Sequence, residues 1–319
     1  MTLHTLRELL ERAESGGYAV GAFNVSSLDQ AIAVLDAAEA ERSPVIVQSI
    51  AGMSAYDDEA RWWARLRRLI DDYPTVPVAL HLDHGRSYDD CARAIEAGFS
   101  SVMIDASRDP ATDEPSTFEA NVALTSRVVA LAHPRGVSVE GELGTIGGAE
   151  AGVSGTTEEI VFADPDQAEQ FVAATGVDAL AVAVGTSHGS VKFTDAEGGQ
   201  RLRIPLIAQI KERLPQTFLV LHGSSSVPSE AVATINAHGG RVRPSYGISP
   251  EQKGDAISTG IRKINQGTDS HLAWTAALRE LLSTRPDLVE PGEQLGVALI
   301  AFRDMVARRM REFGSAGAA

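Results

Sequence analysis

Three features of this 319-residue sequence predict an α/β fold, a (β/α)8 or TIM barrel with extra C-terminal helices. Short β-branched apolar runs alternate with longer segments of helical period. The apolar runs are nearly continuous rather than alternating, as parallel strands covered on both faces require. There are enough of them, spread along the chain, to close a barrel. The doubly wound alternative expects a glycine-rich phosphate turn after the first strand, where this chain has Phe23–Asn24–Val25.

In order, the predicted strands are Ala19–Asn24, Val45–Ser49, Val76–Asp83, Ser101–Asp105, Val137–Glu142, Ala179–Gly185, Phe218–His222 and Ile261–Asn265. Helical patterns cover Leu28–Arg42, Ala60–Tyr73, Tyr88–Ala97, Ser116–Ala132, Pro165–Thr175 and Pro250–Thr259, and Pro228 suits the first turn of another. Gly98, Gly136, Gly176 and Gly260 fall between a helix and the next strand, where the chain needs a positive φ. Two trailing amphipathic helices, about Trp274–Ser283 and Gln294–Phe313, are expected to pack outside the barrel or against a partner. The glycine-rich, apolar-poor stretch Thr145–Glu159 is expected to be a mobile lid. No linker interrupts the pattern, so residues 1–319 are expected to form one domain.

Composition narrows the function. With 28 Lys+Arg against 43 Asp+Glu the formal charge is −15, which argues against nucleic acid as the main partner. No run approaches the ~20 apolar residues of a membrane span, and the first residues lack a signal-peptide pattern. A single cysteine, Cys91, rules out an internal disulfide and suits a reducing compartment, so a cytoplasmic protein is expected. Cys91 sits in a helical pattern with no base nearby in sequence and is not expected to act as a nucleophile. Arg61–Arg68 reads as a solvated helix face with Trp62 or Trp63 packed inward.

In such a barrel catalytic groups come from the C-terminal ends of several strands. Here those ends carry Asn24, Gln48–Ser49, Asp83–His84, Asp105, Glu142, Thr186–Ser187–His188, His222 and Asn265. Three of the eight histidines are among them. His84, His188 and His222 converging on one rim would supply three nitrogen ligands to Zn²⁺ with a position open for substrate. Asp83 would then bring a carboxylate for proton transfer beside the metal. Asp105 and Glu142 would either orient the histidines or hold an alternate metal position. Asn24 and Ser49 are candidate substrate contacts. The other histidines, His81 among them, are read as structural or surface residues.

The runs Ala22–Phe23–Asn24–Val25, Leu82–Asp83–His84–Gly85, Glu140–Gly141–Glu142–Leu143–Gly144, Gly185–Thr186–Ser187–His188–Gly189 and Lys263–Ile264–Asn265 resemble the class II, metal-dependent fructose-bisphosphate aldolase family. His222–Gly223–Ser224–Ser225–Ser226–Val227–Pro228 and Phe313–Gly314–Ser315–Ala316–Gly317 look like its Calvin-cycle subtype. The resemblance runs nearly end to end. It implies zinc on His84, His188 and His222, Asp83 as proton donor and acceptor, and a second divalent position at Asp105 and Glu142. It implies that Glu150, in the lid, handles the proton on the dihydroxyacetone phosphate carbon. Gly189, Gly223, Ser224, Ser225, Asn265, Gln266, Gly267 and Thr268 match positions that bind dihydroxyacetone phosphate, with Lys192 assisting and a monovalent cation near the phosphate. A phosphorylated ketose is the implied substrate, and a homodimer or homotetramer the implied assembly.

Three positions depart from the fructose-bisphosphate pattern. Ile50 stands where a serine contacts the aldehyde phosphate, with Ser49 adjacent; Gly267 stands for an aspartate, and Gly292 for an arginine. A charge-assisted contact to phosphate contributes on the order of 1.5–3 kcal/mol, so their joint absence should weaken a bisphosphate. The expectation is therefore an aldolase that keeps dihydroxyacetone phosphate as donor, its ketose being fructose 1,6-bisphosphate, the tagatose isomer or a non-bisphosphate. A metal-dependent hydrolase on the same barrel expects a His-x-His pair on strand one, which is missing. A non-catalytic subunit has no reason to keep Asp83, three histidines and Glu150 together.

Overall fold

The computed structural model describes residues 3–109, 112, 114–148, 161–188 and 202–319. Eight parallel strands close into a barrel: β1 (Val20–Asn24), β2 (Val45–Ile50), β3 (Val78–Gly85), β4 (Ser101–Ile104), β5 (Ser138–Leu143), β6 (Ala179–Val182), β7 (Phe218–Leu221) and β8 (Ile261–Gln266). Each pairs with its neighbour in sequence, and β1 pairs with β8 to close the ring, Val20 opposite Lys263. All eight lie within or beside the predicted runs.

Side-chain alternation splits the strands between two cores. Phe23, Val45, Val47, Leu80, Leu82, Val102, Val139, Leu180 and Leu219 point outward into the layer under the helices. Val20, Ala22, Ile46, Ala79, Met103, Ala179, Ala181, Phe218 and Val220 fill the interior. The next inward positions, one step nearer the strand C-termini, are polar: Gln48, His81 and Asp83, Glu140 and Glu142, His222, and Lys263 and Asn265. The apolar half of the barrel is thus its floor, and the polar half faces the mouth.

Helix α1 (Leu6–Gly16), absent from the sequence expectations, seals the floor. Its Leu6, Leu9, Leu10 and Ala13 are fully buried in the interior cluster, and Thr5 with Glu8 forms a capping box at its start. The outer layer follows as α2 (Leu28–Glu41), α3 (Glu59–Ile70), α4 (Tyr88–Glu96), α5 (Phe118–Ala132), α6 (Pro165–Thr175), α7 (Ile204–Arg213), α8 (Ser229–Ala237) and α9 (Pro250–Thr259). Helix α7 is the second element that the sequence pattern missed. The trailing pair, α10 (Thr268–Thr284) and α11 (Pro291–Glu312), packs outside the barrel, and α10 starts six residues earlier than predicted. Both Trp62 and Trp63 of α3 are buried, where the expectation allowed for one.

Cys91 is fully buried on α4 with its Sγ 3.7 Å from the Met103 carbonyl. Burial, helped by the charge of Asp90, pushes its thiol up to about 12. The folded protein at pH 8 is therefore expected to leave Ellman's reagent unreacted, with one thiol per chain appearing in guanidinium. Labelling of the native protein at the rate of a free thiol would contradict this burial.

Candidate metal and substrate site

Strand β3 delivers two adjacent side chains to one face, which a regular strand cannot do. His84 has a φ of 47°, in the left-handed region, and the β3–β4 register shifts between Leu82 and Gly85. The kink lets Asp83 and His84 both line the cavity at the mouth, with His188 opposite. Just past β7 the matching device is Gly223, at φ 59°, where an added Cβ would lie 2.7 Å from the Ser187 backbone. Only glycine lets the chain leaving His222 run that close to Ser187, the residue before His188.

His84, His188 and His222 are all buried, and their candidate ligand nitrogens lie within 4.8 Å of one another. The ring centroids of His84 stand 4.9 Å from those of His188 and of His222. His84 Nε2 lies 3.2 Å from His222 Nδ1. Two tetrahedral ligands at ~2.0–2.1 Å from a zinc ion sit ~3.3–3.4 Å apart, so this pair fits such an ion. The far side of each ring is held. Asp105 Oδ2 faces His84 Nδ1 at 3.1 Å, and Glu140 Oε1 faces His222 Nε2 at 2.8 Å. Those contacts leave Nε2 of one ring and Nδ1 of the other turned toward the shared point.

The second expected group also assembles: His84, Asp105 and Glu142 bring ligand atoms within 4.8 Å. Burial would raise the Asp105 carboxyl, but hydrogen bonds from His84 and Ser107, with the charge of His84, bring it below the usual range. Burial and the neighbouring Asp105 charge push Glu142 up, and its buried Oε2 has no hydrogen-bond partner among the described residues. A cation there would satisfy both carboxylates. Burial opposes a charge on His84, yet Asp83, Asp105 and Glu142 outweigh it and raise the imidazole to about 10. Burial, then the charge of His84, holds His222 low.

Asp83 is fixed by three amides. Its Oδ2 accepts from Asn24 Nδ2 at 2.7 Å and Gln48 Nε2 at 3.1 Å, and its Oδ1 from Asn265 Nδ2 at 3.1 Å. Asn24, Gly223, Ser224, Ser225, Asn265 and Gly267 line the cavity as the sequence suggested. Gln266 turns outward, its Nε2 donating to Ser224 Oγ at 3.3 Å, and Thr268 is the first residue of α10. Neither lines the cavity. Ser49 requires a correction: strand parity turns it outward, and its Oγ accepts from Trp62 Nε1 (3.1 Å) and Trp63 Nε1 (3.3 Å). Ile50, one step on, lines the cavity instead. Glu150, Gly189 and Lys192 lie outside the described residues. The base of the expected lid is tied by Thr145 N to the Val161 carbonyl at 3.0 Å, and Gly148 pairs with His188.

Three residues matter here to which the sequence assigned no role, Gln48 having been placed only among the polar strand ends. Gln48 Nε2 bridges Asn24 Oδ1 (2.9 Å) and Asp83, and Ser107 Oγ donates to Asp105 Oδ1 at 2.7 Å. Glu140 is buried below His222 with Lys263 Nζ 2.9 Å from its other oxygen. Parity was the available signal for Gln48 and Glu140, each two positions from a residue facing the mouth.

A parallel eight-stranded barrel with buried histidines and a carboxylate gathered at its mouth has the form of a barrel enzyme with a candidate metal site. The family model for class II fructose-bisphosphate aldolase matches residues 4–318. A fructose-bisphosphate aldolase of Stutzerimonas stutzeri is 42% identical over 99% of this chain and 92% of its own length, and one of Nostoc commune is 43% identical over 99% and 91%. Among solved structures, the YdjI aldolase of Escherichia coli K12 superposes with a TM-score of 0.77 at 29% identity, over 99% of this chain and 98% of that one. A putative fructose-1,6-bisphosphate aldolase of Coccidioides immitis gives 0.78 at 27%, over 98% and 96%. The chain belongs to the class II fructose-bisphosphate aldolase family, and the enzyme is an aldehyde-lyase.

Proposed function

We propose that the protein reversibly cleaves a ketose 1-phosphate or 1,6-bisphosphate to dihydroxyacetone phosphate and an aldehyde, using zinc on His84, His188 and His222. The observation that carries this is the backbone kink at His84, which turns the Asp83 carboxylate and the His84 imidazole to the same cavity. Breaking a C–C bond beside a ketone leaves negative charge on the donor fragment, and bound zinc supplies the Lewis acid that stabilises it. Asp83 takes the proton of the C4 hydroxyl as the aldehyde departs and returns it in the condensation direction. Its three amide contacts keep the carboxylate aimed at that hydroxyl. Asn265 and the Gly223–Ser225 turn bind the donor phosphate, much of it through backbone N–H groups. Glu150, outside the described residues, handles the proton on the donor carbon. A second divalent ion at Asp105 and Glu142 and a monovalent cation near the phosphate complete the reading.

The acceptor end supports a second reading, in which the aldehyde is not glyceraldehyde 3-phosphate. Ile50 and Gly267 line the cavity, and none of its described lining residues is a lysine or arginine. Gly292 is exposed at the start of α11, outside that lining. A coupled assay for dihydroxyacetone phosphate over a panel of phosphorylated ketoses, with and without chelator, tests both readings. Chelator is expected to abolish all turnover. A kcat/KM for fructose 1,6-bisphosphate above ~10⁴ M⁻¹s⁻¹ removes the altered-acceptor reading, and chelator-resistant cleavage removes the zinc reading.

We propose that residues 1–319 act as one cytoplasmic domain and associate into a homodimer or homotetramer. No helix among the described residues is long and apolar enough to cross a membrane. Leu282, Val289, Leu295 and Ile300, at 42%, 86%, 38% and 52% exposure, cluster in sequence on α10, α11 and their connection. Sedimentation equilibrium should give at least twice the 33.8 kDa chain mass, and a monomer at micromolar concentration would refute the assembly.

A further inference from the structure

The last long helix reaches the substrate cavity through a buried ion pair. Arg309, on α11, is 2% exposed, and Asp269, in the first turn of α10, is fully buried. Arg309 donates to Asp269 Oδ2 from Nε at 3.1 Å and from Nη2 at 2.9 Å. The same carboxylate accepts two successive backbone N–H groups, Ser226 on Oδ2 at 3.0 Å and Val227 on Oδ1 at 2.9 Å. These residues follow directly on Gly223, Ser224 and Ser225, which line the cavity.

Val227 has a φ of 54°, a left-handed conformation that a β-branched residue rarely adopts. Such strain persists only where the surroundings over-determine it, and it gathers at sites where backbone position matters. Three contacts enforce it here. Asp269 grips the N–H groups on both sides of the Ser226–Val227 turn. Lys253 Nζ donates to Ser226 Oγ at 2.7 Å, and that hydroxyl donates to the Ile248 carbonyl at 2.8 Å. Gly247 runs so close that an added Cβ would fall 1.9 Å from the Ser225 oxygen. Stability alone explains the pair poorly, because an apolar pair of similar volume often serves a buried site as well.

We propose that Asp269 and Arg309 are positioning residues that hold the Gly223–Ser225 backbone in the orientation that binds the donor phosphate, so that α11 sets substrate affinity without touching substrate. The inference rests on the reading above that this turn is the phosphate site. The test uses the full zinc-loaded chain with Asp269→Asn, which turns one carboxylate oxygen into a donor facing N–H groups, and Arg309→Lys, which keeps charge but loses the fork. KM for the ketose phosphate and the inhibition constant of inorganic phosphate are expected to rise together by about tenfold or more. The kcat should change much less, because the interaction serves ground and transition state alike. Zinc content should match wild type, and Arg308→Lys, half-exposed on the same helix, should change none of these. A purely structural pair would lower Tm while KM and phosphate inhibition stayed at wild-type values, which overturns the proposal. Zinc loss in parallel with the KM change overturns it too, by moving the effect to the histidines. If Asp269→Asn fails to fold, Arg309→Lys decides on the same readouts; failure of both makes the pair a support of the fold and counts against the proposal. Should wild type cleave no ketose phosphate, the aldolase reading falls while titration calorimetry with inorganic phosphate still decides the clamp. A wild-type chain that binds no phosphate overturns it.

Discussion

Replacing Asp83 with alanine lowers kcat for ketose-phosphate cleavage by about 10²–10⁴-fold, the range for loss of a positioned acid–base group. Zinc content is expected to stay at the wild-type level, because the three candidate ligands are histidines. The carboxylate is also the common acceptor for Asn24, Gln48 and Asn265, so its removal leaves three amides to find other partners. A buried donor left unsatisfied costs about 1–3 kcal/mol, and a fall in Tm therefore accompanies the loss of activity. Asp83→Asn separates the two effects. It preserves volume, but presents an amide to three amide donors, so it too should lose activity while disturbing packing less. A variant that kept kcat within tenfold of wild type would remove Asp83 from the proton transfer. The measurements are steady-state cleavage and metal analysis on the same preparation.

His222→Ala is the second large effect, and it acts on metal affinity before it acts on turnover. The imidazole is pinned from beneath by Glu140 and lies against His84 at the shared point. Losing one of three ligands should drop zinc stoichiometry from one per chain to well below that in the presence of a competing chelator. Stability gives an independent readout. A ligand at a hundred times its Kd stabilises the folded state by about 2.7 kcal/mol, so adding zinc to the apo wild type should raise Tm. That shift should vanish in His222→Ala. His81→Ala is the control: His81 is buried one layer deeper, with Nδ1 2.8 Å from Ser101 Oγ, and should retain zinc. Equal zinc affinity in His222→Ala and wild type would contradict the ligand assignment.

The strands were legible because parallel strands covered on both faces must be mostly apolar, and Val45–Val47 or Val78–Leu80 read that way without context. Helix α1 was legible too, in Thr5-x-x-Glu8 followed by Leu9 and Leu10, yet a search for strand–helix repeats passes over a helix that precedes the first strand. The chemistry at the strand ends was readable from residue type alone. What the sequence hid was parity and distance. Ser49 and Ile50 differ by one step, and only the register with β3, where Ser49 lies opposite Leu82, fixes which one faces the cavity. Asp83 meets Asn265 across 182 residues, and Glu140 meets His222 across 82. No local pattern carries such contacts. The left-handed turns at His84 and Val227 are equally silent, because a histidine or valine there violates the local preference that would have announced it.

The proposed chemistry depends on one divalent ion shared by three imidazoles. Anomalous scattering at the zinc edge from crystals of the zinc-loaded protein tests it directly. A strong peak about 2.0–2.1 Å from nitrogens of His84, His188 and His222 is the expected result. An empty position between those rings at full zinc loading, with zinc bound only elsewhere, would contradict it.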